Sequence, residues 1–242
     1  MSRVSRSSRR GLGDNRCPEC RMQLAVCICA LLPRLPTRTR IVLLIHQAEA
    51  HKTTNTGRLA LRCLPNSAFA WRGRMDGGSE VGFSFGAGAA EVSRADSAAP
   101  QATRSAPAWL TEAERPVLLF PAADALPLAR FVGPELAPVT LIVPDGTWSQ
   151  AARTRKRFPG LAAIPCAQLP SELVSTYRLR HDPRPGHLST LQAIAHALGI
   201  LESAAIADEL LRVLQIAIER TLWTKGRLPA HLVTGGVPGN AG

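Results

Sequence analysis

From Arg40 onward short apolar runs alternate with segments of helical spacing. That is the pattern of an α/β protein, a mostly parallel sheet with helices on both faces. Ile41-Val42-Leu43-Leu44-Ile45 is apolar without interruption and ends at His46, as a strand buried on both faces should. The polar stretch H-Q-A-E-A-H-K-T-T-N-T-G at 46–57 leads into a helix through Ala60 to Cys63, closed by Pro65. Residues 68–71, 117–121, 139–143 and 161–166 predict further strands. Ser189 or Thr190 caps a helix running through Leu198 and stopped by Gly199. Ile206, Leu210, Val213, Leu214, Ala217 and Thr221 draw the apolar stripe of a longer helix.

The strand at 139–143 runs into P-D-G-T-W-S-Q-A at 144–151, which reads as a strand end, a tight glycine turn and a helix opened by a hydroxyl cap. Ligands of open α/β sheets collect at the carboxyl ends of strands, so Asp145 stands where chemistry is usually done. The alternative is a carboxylate that caps the following helix. Lys52, Thr53, Asn55 and Thr56 form a second polar cluster at a strand end, suited to a phosphate or to an ordinary helix cap. Between 86 and 108 the chain becomes Ala, Gly, Ser and Pro with scattered charges, a composition that does not pack and predicts a mobile insertion inside one domain. The expected layout is a basic flexible tail at 1–16, a cysteine knuckle at 17–36, the main domain at 37–235 and a flexible tail at 236–242.

Composition sharpens this picture. With 45% hydrophobic and 19% charged residues in 242, the chain is long enough to bury most of its apolar surface. The balance of 29 basic against 18 acidic residues gives +11, and only three of the basic residues are lysines. Arginine suits phosphate, although a GC-rich genome enriches arginine too. The arginines of residues 1–16 are not followed by the apolar core of a secretory signal, and no apolar run approaches a membrane span. The expectation is a soluble cytoplasmic protein with no membrane contact and no evident obligate protein partner.

In a reducing compartment the six cysteines are not expected to form disulfides. Cys17, Cys20, Cys27 and Cys29 are crowded into C-x-x-C and C-x-C pairs, and four thiolates are what a closed structural zinc site takes. The loop between the pairs is too short for a finger helix, so the expected four-cysteine zinc knuckle is a staple, not a DNA reader. Cys63 and Cys166 read as small buried side chains.

The cysteine knuckle, the 46–57 block, L-L-F-P at 118–121, P-D-G-T-W-S-Q-A at 144–151, Y-R-L-R at 177–180 and H-L-S-T-L-Q-A at 187–193 stand in one order over most of the chain. In this it resembles the DTW-domain family of tRNA-uridine aminocarboxypropyltransferases. Gln192 departs from the pattern, which would carry Glu there. The resemblance implies a SPOUT-like fold with a C-terminal knot, and a catalytic domain at 37–235. It also implies transfer of the 3-amino-3-carboxypropyl group of S-adenosylmethionine to N3 of a tRNA uridine, in relatives a variable-loop uridine. On this reading Asp145 is the catalytic group, and Leu119, Phe120, Pro121, Gly146, Thr147, Trp148, Leu188 and Thr190 line the S-adenosylmethionine site. Lys52, Arg58, Arg153, Arg155, Lys156, Arg157, Arg178 and Arg180 then face tRNA phosphates. A SPOUT-type methyltransferase and a non-catalytic zinc-containing RNA-binding protein are the competing readings.

Overall fold

The computed structural model describes residues 15–46, 55–74, 81–87, 101–102, 108–146, 148–158, 160–177, 179 and 188–238. In strand β1 (Arg40–His46), Ile41, Leu43 and Ile45 enter one apolar cluster while Val42 and Leu44 enter another. Successive strand side chains point to opposite faces, so a strand apolar at every position needs cover on both. The first face is covered by helices α1 (Thr56–Cys63), α4 (Thr190–Leu201) and α5 (Ala204–Thr224). The second carries the one-turn helix α2 (Ala108–Thr111), together with Phe158, Leu161 and Ile164, which follow α3 (Trp148–Arg157).

The remaining strands are β2 (Ser67–Arg74), β3 (Val81–Ala87), β4 (Gln101–Ala102), β5 (Pro116–Leu119), β6 (Leu126–Pro127), β7 (Thr140–Asp145) and β8 (Cys166–Gln168). They lie in the order β4-β3-β2-β1-β7-β5-β8-β6. The run from β2 to β6 is parallel throughout, whereas β3 and β4 add an antiparallel edge. From β1 the chain crosses outward to β2, and the later parallel strands lie on the other side of β1. The carboxyl ends of β1 and β7 therefore flank the crevice where such sheets take ligands, with Ile45 paired to Asp145.

Four features differ from the sequence reading. Residues 86–87 and 101–102 belong to strands, although 86–108 reads as an insertion; glycine and serine between Val81, Phe83 and Phe85 hide a two-residue period. Residues 88–100 and 103–107 lie outside the described residues. The strand expected at 161–166 is a 3-10 turn, Leu161–Ala163, and pairing begins only at Cys166, because a short apolar run does not distinguish strand from buried turn. Gly199 does not stop α4, which continues to Leu201; a Cβ at Gly199 would lie 3.1 Å from that of Ala207, so glycine here permits close packing of α4 on α5. Gly236, assigned to the flexible tail, accepts a hydrogen bond from Arg220. The knot expected in the C-terminal part stays an expectation, since residues 178 and 180–187 lie outside the described residues. No described helix is long and apolar enough to cross a membrane.

Candidate functional site

The strand period places Asp145 on the face shared by Leu141 and Val143, toward α1 and α4. It is 9% exposed. Its Oδ2 accepts from Asn55 Nδ2 at 2.5 Å and its Oδ1 from Thr190 Oγ1 at 2.6 Å. Asn55 is the N-cap of α1, where its Oδ1 accepts from the Arg58 amide at 3.1 Å. Thr190 opens α4, and the next amide, Leu191 N, donates to Thr56 Oγ1 at 3.3 Å. Two helix N-termini thus meet at the end of β7. Two bonds of Asp145 run to α1 and α4, 90 and 45 residues away in the chain.

Two glycines make the convergence possible. Gly146 leaves β7 with φ +150°, where a Cβ would come within 2.7 Å of Gln150 Oε1; only glycine takes this backbone readily. At Gly57 a Cβ would lie 2.9 Å from Leu43 Cδ2 and 3.1 Å from Thr190 Cγ2. Any larger residue there would have to displace the Leu43 side chain and crowd Thr190.

Behind Thr190 stands a polar network legible only as S-x-x-Q. Ser189 is the N-cap of α4 and forms a capping box with Gln192. The Gln192 carboxamide, 1% exposed, accepts from Ser175 Oγ at 3.0 Å and donates to Thr176 Oγ1 at 2.9 Å. Because Ser189 takes the capping role, the Thr190 hydroxyl is left for Asp145. The amide that replaces the expected Glu is also a donor, which a carboxylate is not.

Of the other expected site residues, Leu119 and Phe120 are half-buried and Pro121 is exposed. Leu118 pairs with Ile142, which carries residues 119–121 to the level of Asp145. Gly146 and Leu188 are half-buried, Trp148 begins α3, and Thr147 lies outside the described residues. Arg153, Lys156 and Arg157 are exposed on α3. Arg155 is half-buried, donating to Asp124 Oδ2 at 2.6 Å. Arg58, expected to reach RNA, is instead buried at 3% exposure in the first turn of α1, so its guanidinium is not offered to an external phosphate. Lys52, Arg178 and Arg180 lie outside the described residues.

The four cysteine sulfurs lie within 4.8 Å of one another. Cys17 and Cys29 sulfurs are 3.5 Å apart and those of Cys20 and Cys27 3.7 Å. A tetrahedral zinc with bonds of about 2.3 Å sets its sulfurs about 3.8 Å apart, so this donor set fits the ion in distance and chemistry. Burial raises the Cys17 thiol, but the Cys20 and Glu19 backbone together with the Cys27 and Cys29 side chains outweigh it and hold the group at about 7. The knuckle is bound to the domain by Ile28 in the main core, by an Arg62–Glu19 ion pair and by the Leu35 amide on the Cys63 carbonyl. Cys63 itself is pushed up to about 12 by burial.

Comparison with known proteins adds lineage to this geometry. The DTW domain family model matches residues 14–222. The tRNA-uridine aminocarboxypropyltransferase 2 of Drosophila melanogaster is 29% identical over 192 residues, 78% of this chain and 67% of that protein. Its namesake from Mus musculus is 30% identical over 203 residues, 82% of this chain and 61% of the mouse protein. The chain thus spans 61–67% of the length of these curated relatives. Among solved structures, the SAM-dependent rRNA:acp-transferase Tsr3 from Vulcanisaeta distributa is 18% identical, with 77% of this chain and 80% of that one covered at a TM-score of 0.43, too distant a likeness to bear on the site.

Proposed function

Because the chain belongs to the DTW-domain family, we propose that it transfers the 3-amino-3-carboxypropyl group of S-adenosylmethionine to N3 of a uridine in tRNA. The uridine of the variable loop is the finer part of this proposal. The names of the fly and mouse relatives support the reaction class. The observation that carries the assignment of the site is Asp145, a nearly buried carboxylate at a strand end whose two oxygens are held by Asn55 and Thr190.

In this reaction the N3–carbon bond forms as the sulfur–carbon bond breaks, methylthioadenosine leaves, and the imide proton of the uridine must go elsewhere. The sulfonium is already an activated electrophile, so the protein has to supply orientation and a proton acceptor. Asp145 is the acceptor, or the group that orients N3–H, and Asn55 and Thr190 hold its carboxylate in place. Leu119, Phe120, Pro121, Gly146, Thr147, Trp148 and Leu188 form the proposed donor-substrate pocket, with Thr190 joining it to Asp145. Arg153, Lys156 and Arg157, on the helix that follows the turn, contact the tRNA backbone, with Lys52, Arg178 and Arg180 as further contacts. Zinc on the four cysteines is structural and takes no part in transfer.

The deciding experiment incubates the purified protein with unmodified tRNA transcript and S-adenosylmethionine, followed by nucleoside mass spectrometry. Aminocarboxypropyluridine together with methylthioadenosine is expected. A methylated nucleoside with S-adenosylhomocysteine would overturn the proposal in favour of a methyltransferase, and tRNA binding with neither product would favour a non-catalytic role.

A further inference from the structure

Arg220, in the second half of α5, is 5% exposed. A guanidinium so deep needs partners to offset its lost hydration. Its Nη1 donates to the Cys27 carbonyl at 2.6 Å, its Nε to the Gly236 carbonyl at 3.2 Å and its Nη2 to the Gly235 carbonyl at 3.5 Å. These acceptors are neutral, and Arg220 takes part in none of the ion pairs of the described residues. The Cys27 carbonyl that it holds belongs to one of the four clustered cysteines, so the guanidinium stands against the backbone of the sulfur cluster itself.

The far side of the contact is equally built. Gly235 and Gly236 take φ of +73° and +71°, a backbone that favours glycine, and they curl the chain so that both carbonyls meet one guanidinium. A Cβ at Gly235 would lie 3.3 Å from Leu31 Cδ1 and 3.8 Å from Ile216 Cδ1, so this turn is wedged between the knuckle side and α5. The Thr234 amide donates to Glu219 Oε2 at 2.6 Å. One side chain therefore joins the metal-ligand loop, α5 and the turn at 233–236.

We propose that Arg220 is the outer-shell counter-charge of the four-cysteine metal centre, and that it fixes the Cys27–Cys29 ligand pair through the Cys27 carbonyl. Four thiolates around a divalent ion leave negative charge in excess, and a buried cation within one residue's reach offsets it without competing for a sulfur. Metal retention is then coupled to docking of the 233–236 turn, because both depend on one guanidinium. The inference rests on the metal reading of the four cysteines and not on the transfer reaction.

The test measures zinc loss from the full-length, zinc-loaded protein to a chromophoric chelator, and the absorption of its cobalt-substituted form. Arg220→Lys keeps the charge, whereas Arg220→Gln keeps a donor for the Cys27 carbonyl and loses the charge. Loss of an outer-shell partner costs about 10–100-fold in metal affinity. We expect a loss in that range for Arg220→Gln, a few-fold loss for Arg220→Lys, and a cobalt–thiolate spectrum weakened only in the former. Arg212→Met, an exposed change on the same helix, should leave the affinity unchanged. Equal affinities in wild type and both variants, or equal losses in the two variants, would overturn the counter-charge role. Failure of Arg220→Gln to fold with zinc present while Arg220→Lys folds and binds would support it, and failure of both would overturn it. A wild-type protein that binds no zinc or cobalt would remove the metal centre itself, whatever the transfer assay gives.

Discussion

The carboxamide of Asn55 meets the carboxylate of Asp145 at 2.5 Å across 90 residues of chain. Asparagine is suited to this position because its amide is donor and acceptor at once. The oxygen caps α1 through the Arg58 amide while the nitrogen holds Asp145. Serine or aspartate would cap the helix comparably, yet aspartate has no donor, and serine has a single oxygen, one bond short of Asn55 Nδ2, for both contacts.

Asn55→Ser separates the two duties. The cap is retained, so the melting temperature should stay close to wild type. Asp145 loses one of its guides, and a misplacement of about 1 Å costs roughly 10²-fold in rate. Single-turnover transfer should fall on that scale with tRNA affinity unchanged. An unaltered rate would mean that the bond serves only to join α1 to β7.

Much of this arrangement is legible in the sequence because it follows from local periodicity. The uninterrupted apolar run at 41–45 already demands two covered faces, and P-D-G-T-W already reads as a strand end with a glycine turn. The S-x-x-Q start of α4 separates Ser189 from Thr190 once capping-box spacing is applied. What periodicity does not carry is the partner of each polar group. Nothing local tells that Asn55 reaches Asp145, that Arg58 turns inward, or that Arg220 reaches the Cys27 carbonyl, because each contact depends on how distant elements stack. The glycine-rich β3 is hidden for the opposite reason: its alternation is real, but small residues weaken the signal.

Metal content tests the knuckle. Protein purified without chelator should carry about one equivalent of zinc, and replacing any of Cys17, Cys20, Cys27 or Cys29 by Ser should lower both that content and the melting temperature. Cys63→Ser should leave the zinc in place. Since burial pushes Cys63 up to about 12, its thiolate fraction stays small at pH 8 and grows only as pH rises toward that value. Alkylation of the native protein at pH 8 followed by peptide mapping should therefore spare Cys63; rapid labelling there would show that the core around it opens.

The basic face of α3 is best probed at Arg153 and Lys156, both exposed. Arg155 is a poorer choice, since its ion pair with Asp124 ties α3 to the chain following β5. Reversing Arg153 and Lys156 to Glu should weaken tRNA binding across sequences and lower the slope of log affinity against log salt by about 0.7–0.9 for each lost phosphate contact. Affinity for S-adenosylmethionine should not move. A slope identical to wild type would reduce this face to a solubilising surface.

Asp145→Asn tests the reaction itself. The new carboxamide has the same shape: its oxygen accepts from Asn55, and its nitrogen donates to the Thr190 hydroxyl, which turns to receive it. The three-way junction should survive, with folding and S-adenosylmethionine binding close to wild type. What the variant lacks is a proton acceptor, a loss typically worth about 10²–10⁴-fold. A carboxylate base gives a wild-type rate that falls as pH drops through its own ionisation, whereas in the variant the remaining rate should rise with pH as the uridine loses its proton unaided. If Asp145→Asn turns over near the wild-type rate at neutral pH, the carboxylate only ties α1 to α4. The transfer must then be driven by positioning of the two substrates alone.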